Sequence, residues 1–199
     1  MRRLLSVFGL SLLVACTVTR KDEVSEISPA PETTVTVAQG DLTGFIAKNG
    51  SYTWRGVPFA ADTSGENRWR APRPAPAWDG TREALEFSPA CAQIASPFTP
   101  IESWTNWTLE GSEDCLKMDV YAPVGSKGKN LPVMVWIHGG SNVSGASQLY
   151  VGENLAANEN VIVMSVQYRL GIATMFRVGT PVRPTTLLPA TNILRMARS

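Results

Sequence analysis

At 199 residues, with 44% hydrophobic and 18% charged side chains, the chain is long enough to bury one core and too apolar to be disordered throughout. A formal net charge of +1 argues against a large basic footprint for nucleic acid. The charge is uneven: residues 172–199 carry four Arg and no acid, which leaves 14 basic against 17 acidic groups (−3) in the other 171 residues.

Residues 1–15, MRRLLSVFGLSLLVA, open with Arg2 and Arg3 and run apolar from Leu4 to Val14. The run falls short of the ~20 apolar residues that cross a bilayer, so it reads as an export signal rather than a span. Its end, Leu13-Val14-Ala15-Cys16, resembles the bacterial lipobox, after which the signal is cut and the cysteine is lipidated. The alternative is an ordinary signal peptide cut nearby, with Cys16 incidental. Thr17 in place of Asp favours the outer membrane by the sorting rule of such lipoproteins. The expected location is therefore the cell envelope, with the membrane reached through the lipid only. Outside the reducing cytosol the other two cysteines, Cys91 and Cys115, are free to pair. A bridge would close a loop of about 25 residues, worth on the order of 3 kcal/mol, and two buried free thiols are the competing reading.

Residues 16–33 comprise Cys16 and a stretch mixing charge, Ser and Pro without apolar periodicity, which reads as a flexible tether. From Thr34 the pattern changes. TVTVA, LTGFIA and YTWRGV are short β-prone runs separated by Gly40-Asp41 and Asn49-Gly50, the appearance of antiparallel hairpins. Residues 61–114 are loop-rich and punctuated by proline. Three strand candidates follow, KMDVYAP, LPVMVWI and NVIVMSVQY; the last two are nearly continuous apolar runs, as expected of strands covered on both faces. Between them a short helix over Gly152–Asn158 suits a crossover joining parallel strands.

The LPVMVWI strand ends in His138-Gly139-Gly140-Ser141. Two glycines let the backbone turn sharply and bring amide N–H groups close to a ligand, as an oxyanion hole requires. A glycine turn with its histidine satisfied by backbone is the structural alternative. Six segments decide between them: WRGVPFA (54–60), NRWRAPRPAPAW (67–78), Cys91 with Gln93, SEDCLKMDVYAP (112–123), PVMVWIHGG (132–140) and VIVMSVQYRLG (161–171). Their order resembles the first third of the carboxylesterase type B, or cholinesterase-like, family of α/β-hydrolases, over Val35–Gly171.

The resemblance implies an α/β chain with an incomplete α/β-hydrolase fold: N-terminal antiparallel hairpins leading into the first strands of the central mixed sheet, over residues 34–171. It implies that the amides of Gly140 and Ser141 occupy the oxyanion-hole positions, with Gly139 and His138 shaping the loop. Ser141 stands where the family usually has a third glycine; a serine keeps the N–H and adds a hydroxyl. The resemblance also implies a Cys91–Cys115 disulfide and a structural ion pair between Arg68 and Glu113. Trp104 and Trp107 fall in the disulfide loop, which in relatives lines the approach to the active site, although core or surface packing is the favoured explanation of them. In the family the arginine matching Arg169 finds a carboxylate further downstream, so Arg169 is expected to lack its partner. The substrate class is a small-molecule carboxylic ester; no cofactor, metal or nucleic acid is expected.

A serine esterase of this kind needs a nucleophile on a G-x-S-x-G elbow, then an acid, then a histidine. The 199 residues contain no G-x-S-x-G, Gly145-Ala146-Ser147-Gln148-Leu149 failing at its last position, and His138 is the one histidine. No catalytic residue is therefore assigned in this chain, which reads as an N-terminal family segment, inactive alone. Residues 172–199 read as an unmatched tail supplied by a shifted reading frame or a misplaced gene end. The alternative function is a non-catalytic, lipid-anchored binding or adhesion module on the same fold. A third reading, an S-x-x-K hydrolase at Ser126-Lys127-Gly128-Lys129, requires a helix to aim lysine at serine, and the sequence there is a Gly/Lys-rich turn.

Overall fold

The computed structural model describes residues 27–94 and 108–171. The chain runs through β1 (Val35–Val37), β2 (Gly40–Thr43), β3 (Phe45–Ile46), β4 (Ser51–Pro58), β5 (Thr81–Glu83), β6 (Gln93–Ile94), β7 (Leu109–Glu110), β8 (Lys117–Pro123), β9 (Val133–Ile137), α1 (Glu153–Glu159) and β10 (Ile162–Val166). Residues 1–26, with the export signal and Cys16, lie outside the described residues, as do Trp104, Trp107 and the tail 172–199.

The expected N-terminal hairpins are present, with two differences of detail. Gly40 and Asp41 are not a turn; they pair in β2 with Val37 and Thr36, and Ala38-Gln39 make the reversal. LTGFIA is not one strand. It divides at Gly44, whose N–H donates to Thr33 Oγ1 and whose carbonyl accepts from the Ala30 amide. These bonds take the place of ladder pairing, and the chain passes from one sheet to another. The Asn49-Gly50 signal does mark a hairpin: the Gly50 amide donates to Ala47 and Gly50 sits at φ 81°, a turn closed by a left-handed glycine.

Two of the three sheets are small. β1, β2 and β5 form one, with β5 parallel to β2, and β6 pairs with β7. The larger sheet has the order β3-β4-β8-β10-β9. β8 runs antiparallel to both β4 and β10, whereas β10 and β9 run parallel, as the crossover predicted. α1 starts after Gly152 and stops at Asn160, whose φ 53° and ψ 44° give the left-handed C-terminal residue that ends helices. Ala156 of α1 packs on Tyr121 and Val163. Arg55 pairs with Glu153 at 3.0 Å and lies over the rings of Phe45 and Phe87, tying β4 to α1.

The main core gathers Val35, Leu42, Trp54, Val57, Met118, Val120, Ile162 and Met164 from the three-stranded and five-stranded sheets. One expectation fails here. Among the described residues β9 is not covered on both faces: Val135 and Ile137 are 54% and 67% exposed, on a strand at the edge of the sheet. The described helix packs on β4, β8 and β10 instead. A continuous apolar run shows that a strand suits burial, not what covers it.

Candidate functional site

Because β9 and β10 are parallel, both chains leave the sheet at the same edge, and the HGG segment emerges there beside residues 167–171. His138 turns inward and is 2% exposed. Its ring stacks on Tyr168 with centroids 4.3 Å apart, and the Tyr168 hydroxyl donates to the His138 carbonyl at 2.6 Å. His138 Nδ1 lies 2.9 Å from the Gly139 carbonyl. A carbonyl can only accept, so Nδ1 carries the proton and Nε2 is a buried lone pair, without a hydrogen-bond partner among the described residues. Burial favours the neutral ring and lowers the His138 pKa below its usual value, partly opposed by the bond to Gly139, which raises it.

Beyond His138 the backbone reverses. Ser141 and Asn142 both sit in the left-handed region, at φ 55° and 58°, and the Val143 amide donates to the Gly140 carbonyl at 2.9 Å. Two successive left-handed residues closed by that bond make a type I′ turn. Gly140 itself has φ 113°, and a Cβ there would run into the Ser144 carbonyl. The amides of Gly140 and Ser141 donate to no protein acceptor among the described residues.

The loop then re-enters the protein through Gly145, Ala146 and Ser147, all buried. Every polar group of Ser147 is engaged from below: its amide donates to Gln167 Oε1 at 3.2 Å, its carbonyl accepts from Ser165 Oγ at 3.3 Å, and its hydroxyl donates to Asp119 Oδ2 at 2.7 Å. Asp119 also accepts the Gly56 amide at 3.0 Å, at the irregularity where β4 shifts register against β8. Burial raises the Asp119 pKa, partly offset by these hydrogen bonds and by Arg55. Ser147, the near miss for a nucleophile elbow, is thus a buried anchor bonded to a carboxylate with no histidine between. The roles of Asp119, Ser147, Ser165 and Gln167 were not read from the sequence.

Cys91 and Cys115 form the disulfide, with Cα atoms 5.0 Å apart and both residues buried. Arg68 and Glu113 pair, Nε to Oε1 at 2.5 Å, with side chains 51% and 33% exposed. Solvent at that exposure leaves the pair worth about 0–1 kcal/mol, so it locates the proline-rich segment more than it stabilises it. Arg169, expected to lack its family carboxylate, has a backbone partner instead and donates to the Arg70 carbonyl at 2.8 Å. Ser126–Lys129 is a turn closed by the Lys129 amide on the Ser126 carbonyl at 3.0 Å, not the helix that an S-x-x-K site requires. Among the described residues no group of three or more His, Cys, Asp and Glu is placed to hold a metal ion.

A glycine loop at the C-terminal edge of a mixed sheet, with a disulfide beside it, can be compared with known proteins. The model of the carboxylesterase family matches residues 31–184. The chain belongs to the carboxylesterase family. This carboxylesterase-family chain is 42% identical to a human cocaine esterase over 138 residues, 67% of the chain and 25% of that protein. It is 40% identical to the liver carboxylesterase of Sus scrofa over 163 residues, 76% of the chain and 29% of that protein. Among solved structures a PNB esterase superposes with TM-score 0.61 at 40% identity, over 69% of this chain and 28% of that one. A Geobacillus stearothermophilus carboxylesterase gives 0.59 at 34%, over 70% and 27%. The fold is accordingly part of the α/β-hydrolase fold, and the chain spans about a quarter to a third of the length of the relatives it matches. The matched stretch takes in residues 172–184, part of the tail that the sequence reading had set apart at Gly171.

Proposed function

We propose that this chain carries the oxyanion-binding loop of a carboxylic ester hydrolase acting on small-molecule esters, with the amides of Gly140 and Ser141 as donors. The observation behind the reading is that these adjacent N–H groups lack protein acceptors among the described residues and belong to a left-handed turn at the edge where β9 and β10 end. When a nucleophile adds to an ester, the carbonyl oxygen gains negative charge as its carbon becomes tetrahedral. Fixed donors about 2.7–3.1 Å from that oxygen stabilise it, and one such donor is worth ~3 kcal/mol of barrier. His138 is not the general base: its Nδ1 proton is engaged by Gly139 and its ring is buried against Tyr168. His138 and Gly139 set the loop's entry, and the anchored Ser147 sets its exit.

A serine-histidine-acid triad cannot be assembled from these 199 residues, so the chain by itself is expected not to hydrolyse esters by that route. The contribution is tested by exchange. Residues 31–171 are grafted in place of the matched stretch of the PNB esterase, and kcat/KM is measured on p-nitrophenyl butyrate. Activity retained to within about tenfold supports the reading; a folded chimera with no activity above background contradicts it.

Export and lipidation at Cys16 complete the proposal, supported by the Cys91–Cys115 disulfide, which suits a chain maturing outside the reducing cytosol. Labelling bacteria that express the chain with radioactive palmitate tests the anchor: label lost in Cys16→Ser supports it, and equal labelling contradicts it.

A further inference from the structure

Gln93 is 4% exposed and is not used by the chemistry above. Its side-chain amide faces the backbone of Gly145, 52 residues away in sequence, and engages it twice. Gln93 Oε1 accepts the Gly145 amide at 2.8 Å, and Gln93 Nε2 donates to the Gly145 carbonyl at 3.0 Å. The same Nε2 donates to the Cys91 carbonyl at 2.9 Å. Both polar groups of a buried glycine are therefore satisfied by one side chain, itself held two residues from a disulfide. Gly145 packs on the inner side of the loop, where a Cβ would lie 2.5 Å from His138 Nδ1 and 2.6 Å from the Gly139 carbonyl.

We infer that Gln93 is a positioning residue for the glycine loop, fixing the Gly140 and Ser141 amides by clamping Gly145 to the disulfide-bonded Cys91. The inference rests on the oxyanion reading for its functional meaning and on the two hydrogen bonds for its geometry. A carboxamide is required because one end must accept and the other donate. A carboxylate accepts only, and a protonated carboxyl group does both. Glutamate therefore keeps the acceptor and one of the two donor bonds when protonated and loses both donor bonds when ionised, and burial in this position favours the protonated form.

The test uses the full 199-residue chain in four states: wild type, Gln93→Ala, and Gln93→Glu at about pH 5 and about pH 8, chosen to straddle a carboxyl pKa raised by burial. Amide hydrogen exchange is converted to protection factors to remove the intrinsic pH dependence, and thiol titration confirms the intact disulfide. In Gln93→Ala, protection at Gly145 is expected to fall about tenfold or more while Val120 and Met164 in the sheet are unchanged, and the Gly140 and Ser141 amide resonances move. Gln93→Glu is expected to lie between Gln93→Ala and wild type at the lower pH and to match Gln93→Ala at the higher. Unchanged loop protection in Gln93→Ala overturns the inference, as does indifference of Gln93→Glu to pH. If alanine loosens the whole sheet, the comparison of the two glutamate states decides. This readout needs no ester, so its failure is separate from failure of the PNB esterase graft, which tests the oxyanion reading itself.

Discussion

Tyr168 holds His138 at two points, its ring stacked on the imidazole at 4.3 Å and its hydroxyl donating to the His138 carbonyl at 2.6 Å. The two contacts separate experimentally. Tyr168→Phe keeps the stack and removes the bond, leaving the carbonyl without its donor, and is expected to cost about 1–2 kcal/mol by urea unfolding. Tyr168→Ala removes both and is expected to cost more. Equal stability of Tyr168→Phe and wild type would show that the hydroxyl bond contributes nothing.

His138 also gives the chain a pH signature. Its folded pKa is lowered from the usual 6.5 by burial, so between the folded value and 6.5 the unfolded chain binds more protons. Stability is therefore expected to be fully present above pH 6.5 and to be lost as pH falls toward the folded value. His138 is the one histidine, so the difference between wild type and His138→Gln in unfolding midpoint against pH isolates its contribution. A difference that is flat across this window contradicts a buried neutral imidazole.

Asp119 is expected to behave in the opposite sense. Burial raises its folded pKa above 3.8, so in that window the folded chain binds more protons, and its contribution is greatest below 3.8 and lost as pH rises through the raised value. Asp119→Asn, which cannot ionise, lacks this dependence, and the difference between the two unfolding curves measures it. Ser147→Ala, which deprives the buried carboxylate of a donor, is expected to cost about 2–3 kcal/mol near neutral pH.

The loop's two kinds of glycine predict contrasting substitutions. Gly145 has φ 119° and a Cβ there meets His138 and the Gly139 carbonyl, so Gly145→Ala is expected to destabilise by about 2–4 kcal/mol. Gly139 has open space around its Cβ position, so Gly139→Ala is expected to change thermal unfolding little. Similar costs at both sites would mean that the loop is not packed as described.

The sequence was most readable where local pattern and tertiary environment agree. The runs that became β8, β9 and β10, the short helix between the last two, and the left-handed turn at Asn49-Gly50 follow from residue type alone. β5, Thr81-Arg82-Glu83, was missed because it is polar and exposed, with no alternation to mark it. The exposure of β9 could not be read either, since an apolar run is silent about its neighbours. At the candidate site, the glycine pair identified the loop, whereas its supports remained hidden. Gln93 reaches Gly145 across 52 positions and Asp119 reaches Ser147 across 28, distances over which side-chain periodicity carries no information. The motif containing Cys91 and Gln93 was visible, but only the fold shows that the glutamine faces the loop.

The most direct test of the central claim removes a single backbone proton. In the PNB esterase graft, Ser141 is replaced by its α-hydroxy acid counterpart through nonsense suppression, so that an ester oxygen takes the place of the N–H with the side chain kept. If the Ser141 amide stabilises the oxyanion, kcat falls about 10²–10³-fold with a much smaller change in KM. A kcat unchanged from the amide form, in a chimera of equal thermal stability, would contradict the assignment.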